Sequence, residues 1–202
     1  MSDLDAPDAH VFKLLVTGPF AAGKTSLIQA VSDTPVVETD VATSGTEAAV
    51  KPRTTVAMDF GTYTIDDGAV QLLLFGTPGQ RRFWFMTDIL KGDVDAVIYV
   101  IDADATHTHG EAGEAMRELL RDLRVPLVVA INRCDDLVAA RLFARQLGTL
   151  ASESAVPCQL IQQTSGREVV VEALLAVLER LEREGDHARD PLDRMLDMVG
   201  TS

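Results

Sequence analysis

The stretch that most constrains this chain runs from Val11 to Val31, "VFKLLVTGPFAAGKTSLIQAV". An aliphatic run breaks at Gly18. The next eight residues, "GPFAAGKT", fit the pattern G-x-x-x-x-G-K-[ST], and "KTSLIQAV" has the spacing of a helix. Strand, glycine-bounded loop and helix in this order make an anion cradle. Backbone N–H groups of the loop converge on one point, and the helix N-terminus adds partial positive charge. The expected phosphate ligands are Gly18, Ala21, Ala22, Gly23, Lys24, Thr25 and Ser26. The Lys24 ammonium reaches the β- and γ-phosphates, and the Thr25 hydroxyl ligates magnesium.

Such a loop needs a parallel sheet behind it, and the rest of the chain supplies the elements. Aliphatic runs start at Val11, Val56, Ala69, Asp95, Pro126 and Pro157. Helix-length amphipathic segments lie at 24–32, 82–91, 110–123, 136–149 and 167–184. The Asp66–Gly68 turn, "DDG", makes the second and third strands a hairpin. This alternation predicts an α/β fold: a six-stranded, mostly parallel sheet with one antiparallel edge strand and helices on both faces. With 202 residues, of which 47% are apolar, one domain is expected. We divide it into an acidic flexible N-terminus (1–10), the nucleotide domain (11–184) and a C-terminal extension (185–202) with a short amphipathic helix after Asp190. The segment 33–54 is rich in Thr, Pro and Gly and reads as a long functional loop.

A net charge of −13 without a concentrated basic patch argues against nucleic acid and against an anionic membrane surface. No run has the length of a membrane span, no stable membrane anchor is expected, and the acidic start "MSDLDAPDAH" is unlike a targeting signal. The expected location is the cytoplasm, where Cys134 and Cys158 stay reduced.

Two later segments bear on the base and the γ-phosphate. "NRCD" places Asn132, Arg133 and Asp135 after the fifth strand. A carboxylate at Asp135 can accept two hydrogen bonds from guanine N1–H and the exocyclic amine, a donor pair adenine lacks. The alternative is a plain turn in which Asp135 or Asp136 caps the next helix. Asn132 would brace this loop, and the stem of Arg133 would cover the base. Downstream, Ser165 and Gly166 of "TSG" are small enough for a backbone N–H to approach guanine O6. The other segment is "FGTPGQRRFWFM". Gly79 can present its N–H to the γ-phosphate and Pro78 has none to donate, so the donor inventory of this loop points to Gly79. Phe83, Trp84, Phe85 and Met86 cannot all point inward from one helical turn, so part of this group is expected at the surface as a partner site.

The ordered set GPFAAGKT, RTTVAMDFG, FGTPGQ, NRCD and TSG resembles the Ras-like small GTPases over about residues 11–184. It is most similar to the bacterial MglA-related group, especially the actinobacterial conservon-type GTP-binding proteins. The resemblance implies GTP or GDP with magnesium as cofactors, slow hydrolysis of GTP, and roadblock-type regulatory partners together with an effector bound through the switch segments. It also implies residue roles. Thr55 joins Thr25 on magnesium and senses the γ-phosphate, Gln80 orients the attacking water, and Arg53 is first among Arg53, Arg81 and Arg82 as a charge on the transition state. Gly76 stands where Ras-like proteins carry an aspartate that braces the magnesium, and this glycine-substituted segment together with "TTVAMDFG" is what looks most like the MglA-related group. The expectation is a metal held more by nucleotide than by protein. Two other readings stay open, a nucleotide-binding scaffold without meaningful hydrolysis and an ATPase or kinase of the same fold.

Overall fold

The structure is a computed structural model that describes residues 9–42, 55–149 and 154–188. Its centre is a sheet of strands β1 (His10–Thr17), β2 (Val37–Ala42), β3 (Thr55–Ile65), β4 (Val70–Gly76), β5 (Ala96–Asp102), β6 (Leu127–Asn132) and β7 (Ser154–Cys158). They lie side by side in the order β2-β3-β4-β1-β5-β6-β7. The six expected strands are all present, and β3 is the strand that runs against its neighbours. A seventh, β2, pairs outside β3 and takes the edge. It arises from "VETDVA" inside the segment read as loop, whose Thr, Pro and Gly content outweighed this short run.

The helices are α1 (Lys24–Val31), α2 (Trp84–Leu90), α3 (His109–Asp122), α4 (Leu137–Leu147) and α5 (Gln163–Ala188). Every residue of β5 and β6 is buried, the mark of strands covered on both faces. Side-chain alternation sorts the core into two layers. Leu14, Val16, Leu74, Ile98 and Val128 pack with Leu27 and Ile28 of α1 and Val169, Val170 and Ala173 of α5. Leu15, Val97, Tyr99, Ile101 and Val129 pack with Met116 and Leu119 of α3 and Ala140 and Ala144 of α4. The Tyr99 hydroxyl, deep in the second layer, donates to the Ala112 carbonyl at 2.9 Å, so its burial leaves no polar atom unpaired. Among the described residues no helix is long and apolar enough to cross a membrane. The proposed helix after Asp190 lies outside the described residues; α5 itself continues to Ala188.

The hairpin register determines what faces the site. Counting outward from the Asp66–Gly68 turn pairs Ile65 with Val70 and, six residues further, Asp59 with Gly76. At the mouth of the phosphate loop, Gly18 has φ +135°, and a Cβ there would run into the Val100 carbonyl oxygen of β5. Gly18→Ala is therefore expected to lower unfolding free energy by about 3 kcal/mol, read as a shift of the urea midpoint at unchanged slope.

Candidate nucleotide site

The end of the sheet where β1 and β4 terminate opens into a cavity of about 510 Å³. Its walls include residues 20–26 of the loop and helix α1, Asp59 of β3, and Gly76–Gln80, Arg82 and Phe83 after β4. Local sequence explains why α1 points at it. Gly23 enters the helix with φ 112°, and no side chain caps the first turn. The free N–H groups of that turn are thus left for a ligand. Helix α4 makes the contrast: Asp136 caps it by accepting from Ala139 N at 2.6 Å.

Lys24 is buried, and its Nζ donates to the carbonyls of Gly18 at 2.9 Å and Pro19 at 2.5 Å. Burial pulls the ammonium down to about 8, and the nearby charge of Asp59 opposes that pull. Thr25 Oγ1 donates to Asp59 Oδ2 at 2.5 Å. Gly79 passes so close over the loop that a Cβ on it would lie 2.5 Å from Lys24 Nζ and 2.5 Å from the Phe20 nitrogen. Only glycine fits there. A hydroxyl, a carboxylate and a ring of backbone N–H groups form the donor set that suits a hard divalent cation and the phosphates it neutralises.

Of the arginines in the switch segments, Arg53 lies outside the described residues. Arg81 turns away to Glu114 at 3.7 Å and over the Trp84 ring. Arg82 remains in the cavity wall with Gln80. Thr55 opens β3, paired with Ala42. In the aromatic group Met86 is buried, Phe83 and Trp84 are half-buried, and Phe85 is 47% exposed, beside an Ile89 that is 70% exposed.

The base-side loop follows β6. Asn132 is buried: its Nδ2 donates to the Ala22 carbonyl at 3.1 Å, and its Oδ1 accepts from Arg133 N at 3.0 Å and Leu160 N at 3.1 Å. Arg133 has φ 59°. Its guanidinium pairs with the buried carboxylate of Asp102 at the end of β5, which ties down the long side chain at one tip. Because Asp136 does the capping, Asp135 is not needed for it. One Asp135 oxygen accepts from Gln159 Nε2 at 2.9 Å.

The third loop is displaced from where the sequence placed it. Strand β7 ends at Cys158, and Thr164, Ser165 and Gly166 lie in the first turns of α5. Ser165 Oγ accepts from Gln159 N at 2.9 Å, and Gly166 packs on Ala30 and Val31 of α1. The short turn after β7 is instead Gln159–Gln162. The β-rich look of "PCQLIQQ" shifted the expected strand about three residues late, because "SAVPC" carries a Pro that suits an edge strand and hid it.

Asp59 was missed altogether. Its signal was present in the hairpin register, which sets it opposite Gly76 by counting from the turn.

Fold and site define a nucleoside-phosphate-binding α/β protein with a phosphate loop. Residues 35–152 match the family described as "Conserved hypothetical ATP binding protein", and the chain belongs to that family. It is also similar to the human Ras-related protein Rab-7L1, 30% identical over 132 residues that make up 62% of this chain and 61% of that protein. Ras-related protein RabG2 of Dictyostelium discoideum is 31% identical over 130 residues, 63% of this chain and 61% of its own. The chain thus spans about three fifths of these Ras-related relatives. In fold it resembles the G domain of the T. maritima FeoB iron transporter, with a TM-score of 0.60, 20% identity, and coverage of 84% of this chain and 99% of that one. The Arl6 small GTPase of Trypanosoma brucei, solved with a nucleotide analogue, gives 0.61 at 16% identity, covering 84% of this chain and 98% of the other.

Proposed function

We propose that the protein is a guanine-nucleotide switch of the MglA-related kind, cytoplasmic, that hydrolyses GTP slowly and changes its affinity for partners as it does so. The observation that carries this reading is the convergence of Lys24, Thr25, Gly79 and Gln80 on one cavity, with Asp135 on a neighbouring loop held to it through Asn132. The family description names ATP; guanine is favoured here because Asp136 does the capping and leaves Asp135 free of that task, and a carboxylate acceptor pair suits the N1–H and amine that guanine has and adenine lacks. The turn Gln159–Gln162 takes over the part first given to Ser165 and Gly166.

Each residue then has a physical task. The backbone N–H groups of residues 21–26 and the Lys24 ammonium hold the phosphates. Thr25, with Thr55, would hold magnesium, which when bound neutralises the β- and γ-oxygens. Gly79 brings its N–H toward the γ-phosphate, and Gln80 orients a water for in-line attack. Arg82 stands in the cavity wall as a source of positive charge, with Arg53 the other candidate. Loss of the γ-phosphate releases Gly79, and the movement reaches Trp84 and Phe85, the surface for a roadblock-type regulator or an effector.

The test is phosphate release from GTP, with a Lys24→Ala control, together with Trp84 fluorescence on exchange of GDP for a non-hydrolysable GTP analogue. The expected rate is roughly 10⁻⁴ to 10⁻³ per second. Release no faster than the control, with a fluorescence change intact, would leave a nucleotide-dependent scaffold; a flat fluorescence signal would remove the switch.

A further inference from the structure

Glycine at position 76 removes a carboxylate from β4, and the neighbouring strand carries one at the same height. Residues directly opposed in an antiparallel pair project their side chains from the same face, so Asp59 occupies the face that a residue-76 side chain would use. The space between the two positions is small. A Cβ on Gly76 would lie 3.0 Å from Asp59 Cβ, 3.4 Å from its Oδ2 and 2.7 Å from Ile28 Cδ1. A side chain at 76 would crowd Asp59 and Ile28, so two carboxylates would compete for one space. The one present points at the Thr25 hydroxyl, 2.5 Å away, in the wall of the phosphate cavity.

We infer that Asp59 is the magnesium-side carboxylate of this protein, transferred from β4 to β3, and that Gly76 is the glycine that makes room for it. The inference rests on the reading of the cavity as a magnesium-nucleotide site. It also revises the expectation of a metal held mainly by nucleotide, since the protein contributes as many carboxylates as before. The new position has a consequence of its own. Asp59 lies on the strand that leads out of the segment ending in Thr55, four residues on, so the metal brace and the first switch share one strand. In the usual arrangement the brace belongs to the strand before the second switch.

The experiment follows release of a fluorescent GDP from the purified full chain, in EDTA and across a magnesium titration. Asp59→Asn keeps the shape, and the release rate of each variant in EDTA serves as its own reference for the magnesium titration. The magnesium concentration that half-maximally slows release should rise by about 10- to 100-fold. The double variant Asp59→Gly/Gly76→Asp returns a carboxylate to β4 and should recover most of that loss. Thermal melts in EDTA show whether each variant is folded, and Asp59→Asn alone decides if the double variant is not. Wild-type magnesium response in folded Asp59→Asn overturns the assignment while leaving nucleotide binding intact. Failure of the wild-type protein to bind GDP in either buffer would remove the underlying reading instead.

Discussion

Asp135→Asn is expected to lower affinity for GDP by roughly 10³-fold and to raise relative affinity for xanthosine diphosphate, with displacement of a fluorescent GDP as the measurement. The magnitude follows from replacing an acceptor with a donor. Guanine offers N1–H and an exocyclic amine, and an Asn amide set against them pairs one and leaves the other facing N–H groups, a loss larger than omitting a contact. Xanthine presents a carbonyl where guanine has the amine, so it accepts what the Asn donates. The substitution leaves α4 intact, because the helix is capped by Asp136 and not by Asp135. Gln159 Nε2 would still find the Asn carbonyl, so the turn after β7 keeps its bond. ATP competing with GDP on equal terms for wild-type protein would remove Asp135 from the base site and favour the ATP of the family description.

Lys24→Ala is expected to cost roughly 10²- to 10³-fold in affinity for either GDP or GTP, because a buried ammonium paired with phosphate is lost while the phosphate stays in place. The same residue gives the binding a pH dependence. Burial has drawn its free value down to about 8. Arriving phosphates favour the charged form and raise it again, so above about pH 8 binding must take up a proton. Affinity in EDTA should therefore be level near pH 7 and fall as pH rises through 8, approaching tenfold per unit. Lys24→Ala should flatten that slope between pH 7 and 9. A wild-type profile as flat as the variant's would mean that Lys24 does not meet the phosphates.

Much of the fold was legible because it rests on local signals: Gly18 and Gly23 punctuating the loop, the "DDG" turn, and apolar runs long enough to be buried on both faces. Strand β2 was not, since "VETDVA" becomes a strand only by finding β3. The phosphate side of the site could be read for the same reason, as Gly18 to Ser26 is one continuous segment. On the neighbouring loop the sequence left open whether Asp135 or Asp136 caps α4, and the structure gives the cap to Asp136; the bond from Gln159 to Asp135 depends on where β7 stops and could not be read. Asp59 shows the limit most clearly. It is one of many acidic residues, and its significance comes from a partner seventeen residues away across a hairpin. The missing aspartate at Gly76 was visible as an absence; its replacement required register.

Asn132 has a further consequence. One buried amide is bonded to Ala22 of the phosphate loop, to its own loop at Arg133 and to the turn after β7 at Leu160. The two sides of the cavity are thus anchored differently. The loop after β6 is fastened at several points; on the other side Thr77 ties the end of β4 to β1, and beyond it Asp59 meets α1 through a single hydroxyl while Gly79 rests on the phosphate loop by close approach. On the proposed reading, a change in the ligand is taken up beyond Thr77, at Asp59, Gly79 and the start of α2.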